Sequence, residues 1–296
     1  MKIYDCFMYF DEEVVVDIRF NTLNEFVDYF VIVESKFTHK GDRRKLKFNH
    51  KKFGKFKDKI IYLIYDEESK KIEKISEKDS KREKDTKYIF NAAYRENGQR
   101  NYIQKGLAEA KQDDLILISD VDEIPKLSEL SFKKIKEKII LFKQDMFYYK
   151  FNLHLPNLAW SGTKACKKKD LINPQWLRNI KNRKYPFFRM DTFFSKTKYS
   201  NLKIFNNGGW HFTNIKTASE IEYKLKSYLH HREFDVNPLT INQINEIIKN
   251  KKAIYNLNVD KSVSKIGNGD KLEKFELSKL PIYIQDNSSN LKKWIE

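Results

Sequence analysis

The chain has 296 residues, enough for one large α/β domain or two small ones, and no run of about 18 apolar residues that would span a membrane. Its formal net charge of +17 comes from 58 basic and 41 acidic residues, but only ten of the basic residues are Arg and the lysines are spread through nearly every segment. Compositional drift toward Lys, Asn and Ile gives such a charge by itself; no finger, helix-turn-helix or single-strand-binding signature accompanies it to support nucleic-acid binding, and attraction to an anionic glycolipid or to the negative inner face of a membrane fits it better.

Met1 to Asp5 carries no signal-peptide pattern and leads straight into a strand, and the two cysteines, Cys6 and Cys166, offer neither a disulfide framework nor metal-ligand spacing. Free thiols in the cytoplasm are expected, with peripheral contact at the inner face of the membrane. Ile3 to Phe10 and Phe30 to Val33 read as strands, and between them Val15, Ile18, Leu23, Phe26 and Phe30 are spaced to cover one helix face. The second strand ends at Glu34-Ser35, a polar pair that suits a ligand contact or a turn cap. Phe37 to Gly41 reads as a loop and Lys59 to Tyr65 as a third strand. From Asp66 to Lys87, eight acidic and eight basic residues leave only Ile72 and Ile75 to bury, which predicts a solvated excursion without chemistry. Tyr94 to Asn101 is dense in hydrogen-bonding side chains and leads into a helix predicted over Asn101 to Ala110, with Ile103 and Leu107 inward. Arg95 and Arg100 offer guanidinium forks that match phosphate geometry beside a helix amino terminus; a surface helix laced with ion pairs is the other reading.

Leu115 to Ile118 are four large apolar residues, the mark of a strand buried on both faces. Asp120 and Asp122 follow at its carboxyl end, where open α/β sheets bind ligands. Two carboxylates one residue apart can share a hard divalent cation, Mn²⁺ or Mg²⁺, which takes oxygen ligands and completes its shell with water and substrate phosphates. The same residues also make an ordinary turn, stopped by Pro125. Ile139 to Phe142 and Met146 to Phe151 read as two strands. Trp160, Trp176, Tyr185, Phe187 and Phe188 fall among loops; most suit a core, and Trp160 is singled out as a ring able to stack on an acceptor sugar. Ile204 to Thr213 reads as a strand broken by Gly208 and Gly209, a sign of a bulge or of close backbone approach. His211 within it is either a third ligand to a metal held by the carboxylates or a structural histidine. Thr217 to His231 predicts an amphipathic helix, Ile241, Ile244, Ile247 and Ile248 another, and Leu280 to Ile284 a late strand. No internal repeat or Pro/Gly linker divides the chain, so residues 1–296 are expected to form one unit.

Five stretches make this sequence similar to glycosyltransferase family 17: Ile3-Tyr4-Asp5-Cys6-Phe7, Val31 to Ser35, Arg95-Glu96-Asn97 with Gln99-Arg100-Asn101, Leu117 to Pro125, and Gly209-Trp210-His211-Phe212. They occur in the family's order and span most of the chain. The resemblance implies an α/β, GT-A type fold, with a Rossmann-like nucleotide-binding half on a mixed central sheet over residues 1–125 or so and an acceptor half over the remainder. It implies an inverting, divalent-cation-dependent transfer from a UDP-sugar, UDP-N-acetylglucosamine first, to a hydroxyl of a glycan or glycolipid. The lack of an anchor and stem points to a microbial or viral surface glycan. Asp120, Asp122 and His211 are the implied metal ligands, with Asp120 free to bind the donor instead. Asp5, Phe7, Glu34, Arg95, Asn97, Gln99, Arg100, Ser119 and Trp210 are the other implied donor contacts. Glu220, near a helix amino terminus after the Trp-His strand, is the first candidate base, with Glu233 and Asp145 behind it. The alternatives are a related transferase with another nucleotide sugar and a basic nucleic-acid- or anionic-membrane-binding module without catalysis.

Overall fold

The amino-terminal apolar runs pair as parallel strands. In the computed structural model, which describes all residues except 129, 131, 133, 134, 258–265 and 268, β1 (Ile3–Tyr9) and β2 (Tyr29–Ser35) lie side by side. They are joined by α1 (Glu13–Leu23), which buries Val15, Val16, Ile18, Phe20 and Leu23. β3 (Ile60–Tyr65) adds outside β2. The chain then returns through α2 (Lys81–Asn101) to β4 (Leu115–Asp120), which pairs with the opposite edge of β1, so that Cys6 faces Val31 on one side and Ile118 on the other. The direction of strand addition reverses at β1. A cleft between the carboxyl ends of strands at such a switch point is where α/β folds bind ligands.

α2 differs from expectation in a way its sequence explains. Ser80 and Glu83 form a capping box, Ser80 N donating to Glu83 Oε2 at 2.8 Å and Glu83 N to Ser80 Oγ at 3.3 Å. The helix therefore starts inside the charged excursion, whose Lys, Arg and Glu are good helix formers, and it takes in the whole Tyr94 to Asn101 stretch. The helix expected from Asn101 is instead a 3₁₀ segment, Tyr102–Leu107, which still buries Ile103 and Leu107.

The second half completes a ten-stranded mixed sheet with β5 (Glu123–Pro125), β6 (Ile139–Tyr148), β7 (Leu153–Lys167), β8 (Leu202–Phe205), β9 (Gly209–Thr213) and β10 (Glu273–Lys274). The main order is β3-β2-β1-β4-β7-β6-β9-β5, with β8 also on β6 and β10 on β7. β7 runs antiparallel to both β4 and β6. Three readings of this half are corrected. The two strands expected over Ile139 to Phe151 are the single strand β6, because its polar middle is paired: Gln144 is fully buried, and its Oε1 accepts from Thr163 N at 3.3 Å. β7 occupies 15 residues that read as loop, since register shifts and a positive φ at Asn157 break any period-two pattern. Leu280 to Ile284 is no strand but leads into a helix, α8 (Ile282–Asp286), that packs on α1 with Tyr283 Oη donating to Asp17 Oδ2 at 3.1 Å; a short apolar run does not distinguish the two.

Between these lie α3 (Pro174–Asn179), α4 (Met190–Phe193), α5 (Ala218–Ser227), α6 (His231–Val236) and α7 (Ile241–Lys249). The helix expected over Thr217 to His231 is split, because Tyr228 leaves α5 in extended backbone. One sheet face buries Phe7, Phe20, Phe30 and Phe142, and the other buries Val31, Ile103, Ile116 and Leu141. A third cluster, with Tyr148, Ile221, Leu225 and Ile244, seats α5 to α7. Among the described residues no helix is long and apolar enough to cross a membrane.

Candidate active site

β4 runs out at Asp120, and the turn that follows is held from beneath. Arg19 of α1 is fully buried; its Nε and Nη2 donate to the two oxygens of the equally buried Asp5, at 2.7 and 2.5 Å. Its remaining nitrogen, Nη1, donates to the backbone carbonyls of Glu123, Val121 and Asp120 at 2.6, 3.2 and 3.4 Å. One guanidinium thus pins the backbone of the whole acidic turn to β1.

Glu123, also fully buried, forms the second support. It accepts from Asp120 N at 2.9 Å, from Trp160 Nε1 at 2.7 Å, and from both Nη atoms of Arg178 at 2.7 and 2.9 Å. Arg178, near the end of α3, donates on to Asp120 Oδ2 at 2.9 Å, while Arg100 at the end of α2 donates to Asp120 Oδ1 at 3.0 Å. Lys164 anchors the exit of α3 by donating to the carbonyls of Arg178 and Ile180, at 2.6 and 2.5 Å.

β9 supplies the facing side. Its entry depends on Gly209 at φ +126°, where a Cβ would stand 2.1 Å from the Ile124 carbonyl oxygen, so only glycine lets β9 lie this close to β5. Glu123 pairs with His211 in the ladder, and Phe212 N donates to the Asp122 carbonyl at 2.8 Å. His211 Nε2 comes to 3.3 Å from Asp122 Oδ1, with the Trp160 ring 5.1 Å from the imidazole, and Lys224 Nζ of α5 lies 3.8 Å from Asp122 Oδ2. His211 Nδ1 is buried without a hydrogen-bond partner.

Burial alone would raise the Asp122 carboxyl pKa, but His211 and Lys224 outweigh it and hold the group well below the usual carboxylate range. Burial works downward on His211, and Asp122, Glu123 and Asp120 outweigh it to lift the imidazole above its ordinary value. Asp120 is likewise pushed up by burial and pulled further down by Arg178 and Arg100. Both aspartates therefore face the cleft ionised at neutral pH.

The cleft above them encloses about 240 Å³. Its walls are Met8, Phe10, Phe37, Tyr228 and Tyr255, interspersed with Ser35, His39, Arg44, Glu96, Gln99, Thr213 and Lys224. Of the residues singled out from the sequence, Ser35, Gln99, Asp120, Asp122 and His211 line it. Gln99 donates to the Val33 carbonyl at 2.9 Å, and its Oε1 lies 3.2 Å from His39 Nε2. Arg100 touches the cleft through Asp120, being held also by Glu96 at 2.8 Å.

The others are not brought to it. Asp5 is spent on Arg19, and Phe7 is core. Ser119 Oγ is bonded to Thr163 Oγ1 at 2.8 Å in the interior. Glu34 is fully buried and accepts from Arg44, from the amides of Lys47 and Phe48, and from Tyr62 Oη, so it shapes the loop over residues 44–48. Arg95 reaches Glu68 at 2.8 Å and the carbonyls of His39 and Lys40, fastening the His39 loop. Asn97 lies in a separate depression beside Trp176, and Trp210 in another groove with Asp145, donating to the Lys279 carbonyl at 3.1 Å. Trp160 is tied to Glu123 instead of standing at a rim. Glu220 closes the capping box of α5, accepting from Thr217 N at 2.8 Å and Thr217 Oγ1 at 2.7 Å, in a depression next to the cleft. Glu233 is exposed beside His230, and Asp145 stands 4.0 Å from His154.

Arg19, Arg178, Arg44 and Lys224 drew no notice in the sequence, and Glu123 was read only as part of the turn. A fully buried arginine in α1, on the core face beside Ile18, is the one that left a trace: a charge amid an apolar stripe requires a partner.

As donors, Asp122 Oδ1 and His211 Nε2 fit a hard-to-borderline divalent cation, an oxygen and a nitrogen 3.3 Å apart at the cleft floor. Asp120, turned onto two guanidiniums, does not complete a trio, and among the described residues no three acidic, histidine or cysteine side chains converge on one point. Two protein ligands, with water and substrate oxygens for the rest, is a usual arrangement for such ions where phosphates bind.

Comparison with curated proteins finds no match. The family model for glycosyltransferase family 17, by contrast, runs from residue 1 to residue 294, through every strand that builds the cleft and every side chain at its floor. With nearly the whole chain matched, this protein belongs to glycosyltransferase family 17.

Proposed function

We propose that the protein transfers N-acetylglucosamine with inversion from UDP-N-acetylglucosamine to a hydroxyl of a glycan or glycolipid, using Mn²⁺ or Mg²⁺. The observation that carries this reading is the Asp122–His211 pair, 3.3 Å apart at the carboxyl end of β4 in a cleft of a family 17 chain. Asp122 and His211 would hold the cation, which would supply Lewis-acid stabilisation of the leaving diphosphate. Asp120, fixed by Arg100 and Arg178 and still 37% exposed, orients the donor ribose, and Gln99 and Ser35 line the wall beside it. Met8, Phe10, Phe37 and Tyr228 exclude water around the reacting atoms.

The base is better sought in the cleft wall, at Glu12 or Glu96, than at Glu220. Glu220→Gln is expected to keep turnover within about twofold and to leave the melting temperature nearly unchanged, since glutamine closes the same kind of capping box, as Gln243 does with Thr240. Turnover assays beside thermal melts check this, and a loss of about a hundredfold in rate would restore Glu220 as the base.

The direct test is UDP release from a panel of UDP-sugars with Mn²⁺, with Mg²⁺ and with chelator. UDP-N-acetylglucosamine is expected to be turned over, in the presence of metal only. Preference for another UDP-sugar would replace the donor, turnover in chelator would remove the cation, and no binding of any nucleotide sugar would overturn the reading.

A further inference from the structure

Beyond Arg178 the chain leaves the cleft and makes an excursion over residues 181–198 that is fastened at its root. Lys181 N donates to the Thr197 carbonyl at 2.9 Å, Tyr185 N to that of Tyr199 at 3.0 Å, and Trp176 Nε1 to that of Lys196 at 2.6 Å. From this root the tip turns four large apolar side chains to solvent: Phe187, Phe188, Met190 and Phe194 are 76, 71, 75 and 85% exposed. They are four of the five most exposed large apolar residues among those described, and they fall within eight consecutive positions. Scattered apolar side chains on a surface need no explanation, but a cluster like this one does.

The surroundings of the tip indicate what covers it. Lys181, Arg183, Lys184, Arg189, Lys196 and Lys198 flank the apolar residues, against one acid, Asp191, which is already occupied by Arg189 at 2.9 Å and Lys198 at 2.6 Å. Six cations less one anion leave the excursion at +5. Arg183, Arg189 and Lys198 gather 4.8, 5.6 and 5.8 Å from the Tyr185 ring centroid, so the positive charge collects at the base of the tip. A second copy docking through the same patch would bring +5 against +5, which disfavours self-association. Apolar side chains at the tip and cations around its base are the arrangement by which proteins seat on anionic bilayers, the tip entering the boundary between headgroups and acyl chains and the cations meeting lipid charge.

We propose that residues 181–198 dock the protein on an anionic lipid bilayer, with Phe187, Phe188, Met190 and Phe194 inserted and Lys181, Arg183, Lys184 and Lys196 on the lipid headgroups. The test is co-sedimentation of the full chain with vesicles of phosphatidylcholine alone and of phosphatidylcholine with about 30% phosphatidylglycerol. Binding is expected to be at least about tenfold tighter to the anionic vesicles. Phe187→Ser with Phe188→Ser and Phe194→Ser should weaken it by about tenfold or more, and Lys181→Glu with Lys184→Glu by at least about fivefold for each lysine reversed. Because every substituted side chain is exposed, both variants should melt at the wild-type temperature, which separates lost docking from lost folding; this readout is independent of any enzymatic activity. The proposal is overturned if the native chain shows no preference for anionic vesicles or if the triple serine variant binds them as well as the native chain does. It is also overturned if a single-stranded oligonucleotide binds more tightly than the vesicles, or if the phenylalanines prove to sustain a dimer in sedimentation velocity.

Discussion

Asp122→Ala is expected to lower sugar-nucleotide turnover by about 10²–10³-fold with the fold intact but the melting temperature lowered, because the ionised carboxylate that His211 and Lys224 hold below the usual range contributes stability at neutral pH. The side chain faces His211 and Lys224 at the cleft floor, and the contact that ties the turn to β9, Phe212 N to the Asp122 carbonyl at 2.8 Å, is made by backbone and survives the substitution. The loss should fall on the chemical step, read as single-turnover rate with saturating donor. His211→Ala should cost a comparable factor. If both residues hold one cation, the double variant should be little worse than either alone, because the second substitution removes a ligand from a site already broken. Fully additive losses would assign the two residues separate roles, and an Asp122→Ala protein within about threefold of native turnover would end the cation reading.

For stability the largest effect is expected at Arg19. Arg19→Met removes the partner of a carboxylate that has no exposure at all and strips a donor from three backbone carbonyls, a change that typically costs about 3–5 kcal/mol. For a chain of this size that corresponds to a fall in Tm of roughly 5–8 °C. Arg19→Met with Asp5→Leu should recover a good part of the loss, since it is the uncompensated charge that is expensive and not the absence of the pair. Urea titration of the two variants decides the matter: equal midpoints for single and double variants would show that the carbonyl bonds dominate, and a single-variant loss under about 1 kcal/mol would show that the turn does not depend on Arg19.

The parts of the fold legible in the sequence are those in which one physical signal dominates. β1, β2 and β4 are nearly continuous apolar runs because parallel strands covered on both faces must be so, and the carboxyl end of β4 then places Asp120 and Asp122. The glycine before the Trp-His pair was informative for a related reason: close approach of two backbones leaves no room for a Cβ. What could not be read was long-range partnership. Arg178 sits in a short helix with nothing local to distinguish it, and only the folded chain shows that it bridges Asp120 and Glu123. Arg95 looked like a phosphate fork because its sequence neighbours are polar, yet its partners Glu68, His39 and Lys40 come from two other loops. β7 was missed because it pairs on both edges, so its buried polar residues are satisfied by neighbouring strands and need no apolar alternation.

The place of β9 in the sheet also sets an order of events for a chain emerging from the ribosome. β5 follows β4 directly in sequence, but its ladder partner is β9, and between β4 and β9 the sheet holds β7 and β6. Asp122 is therefore synthesised about ninety residues before His211, and at roughly 5–20 residues per second the acidic turn waits some 4 to 18 s for its partner. Until then Glu123, Trp160 and Arg178 can assemble, but one side of the cleft is missing and the edge of β5 is open to other chains. The nascent protein is thus most exposed to misassembly just before it acquires the machinery for which the fold is built.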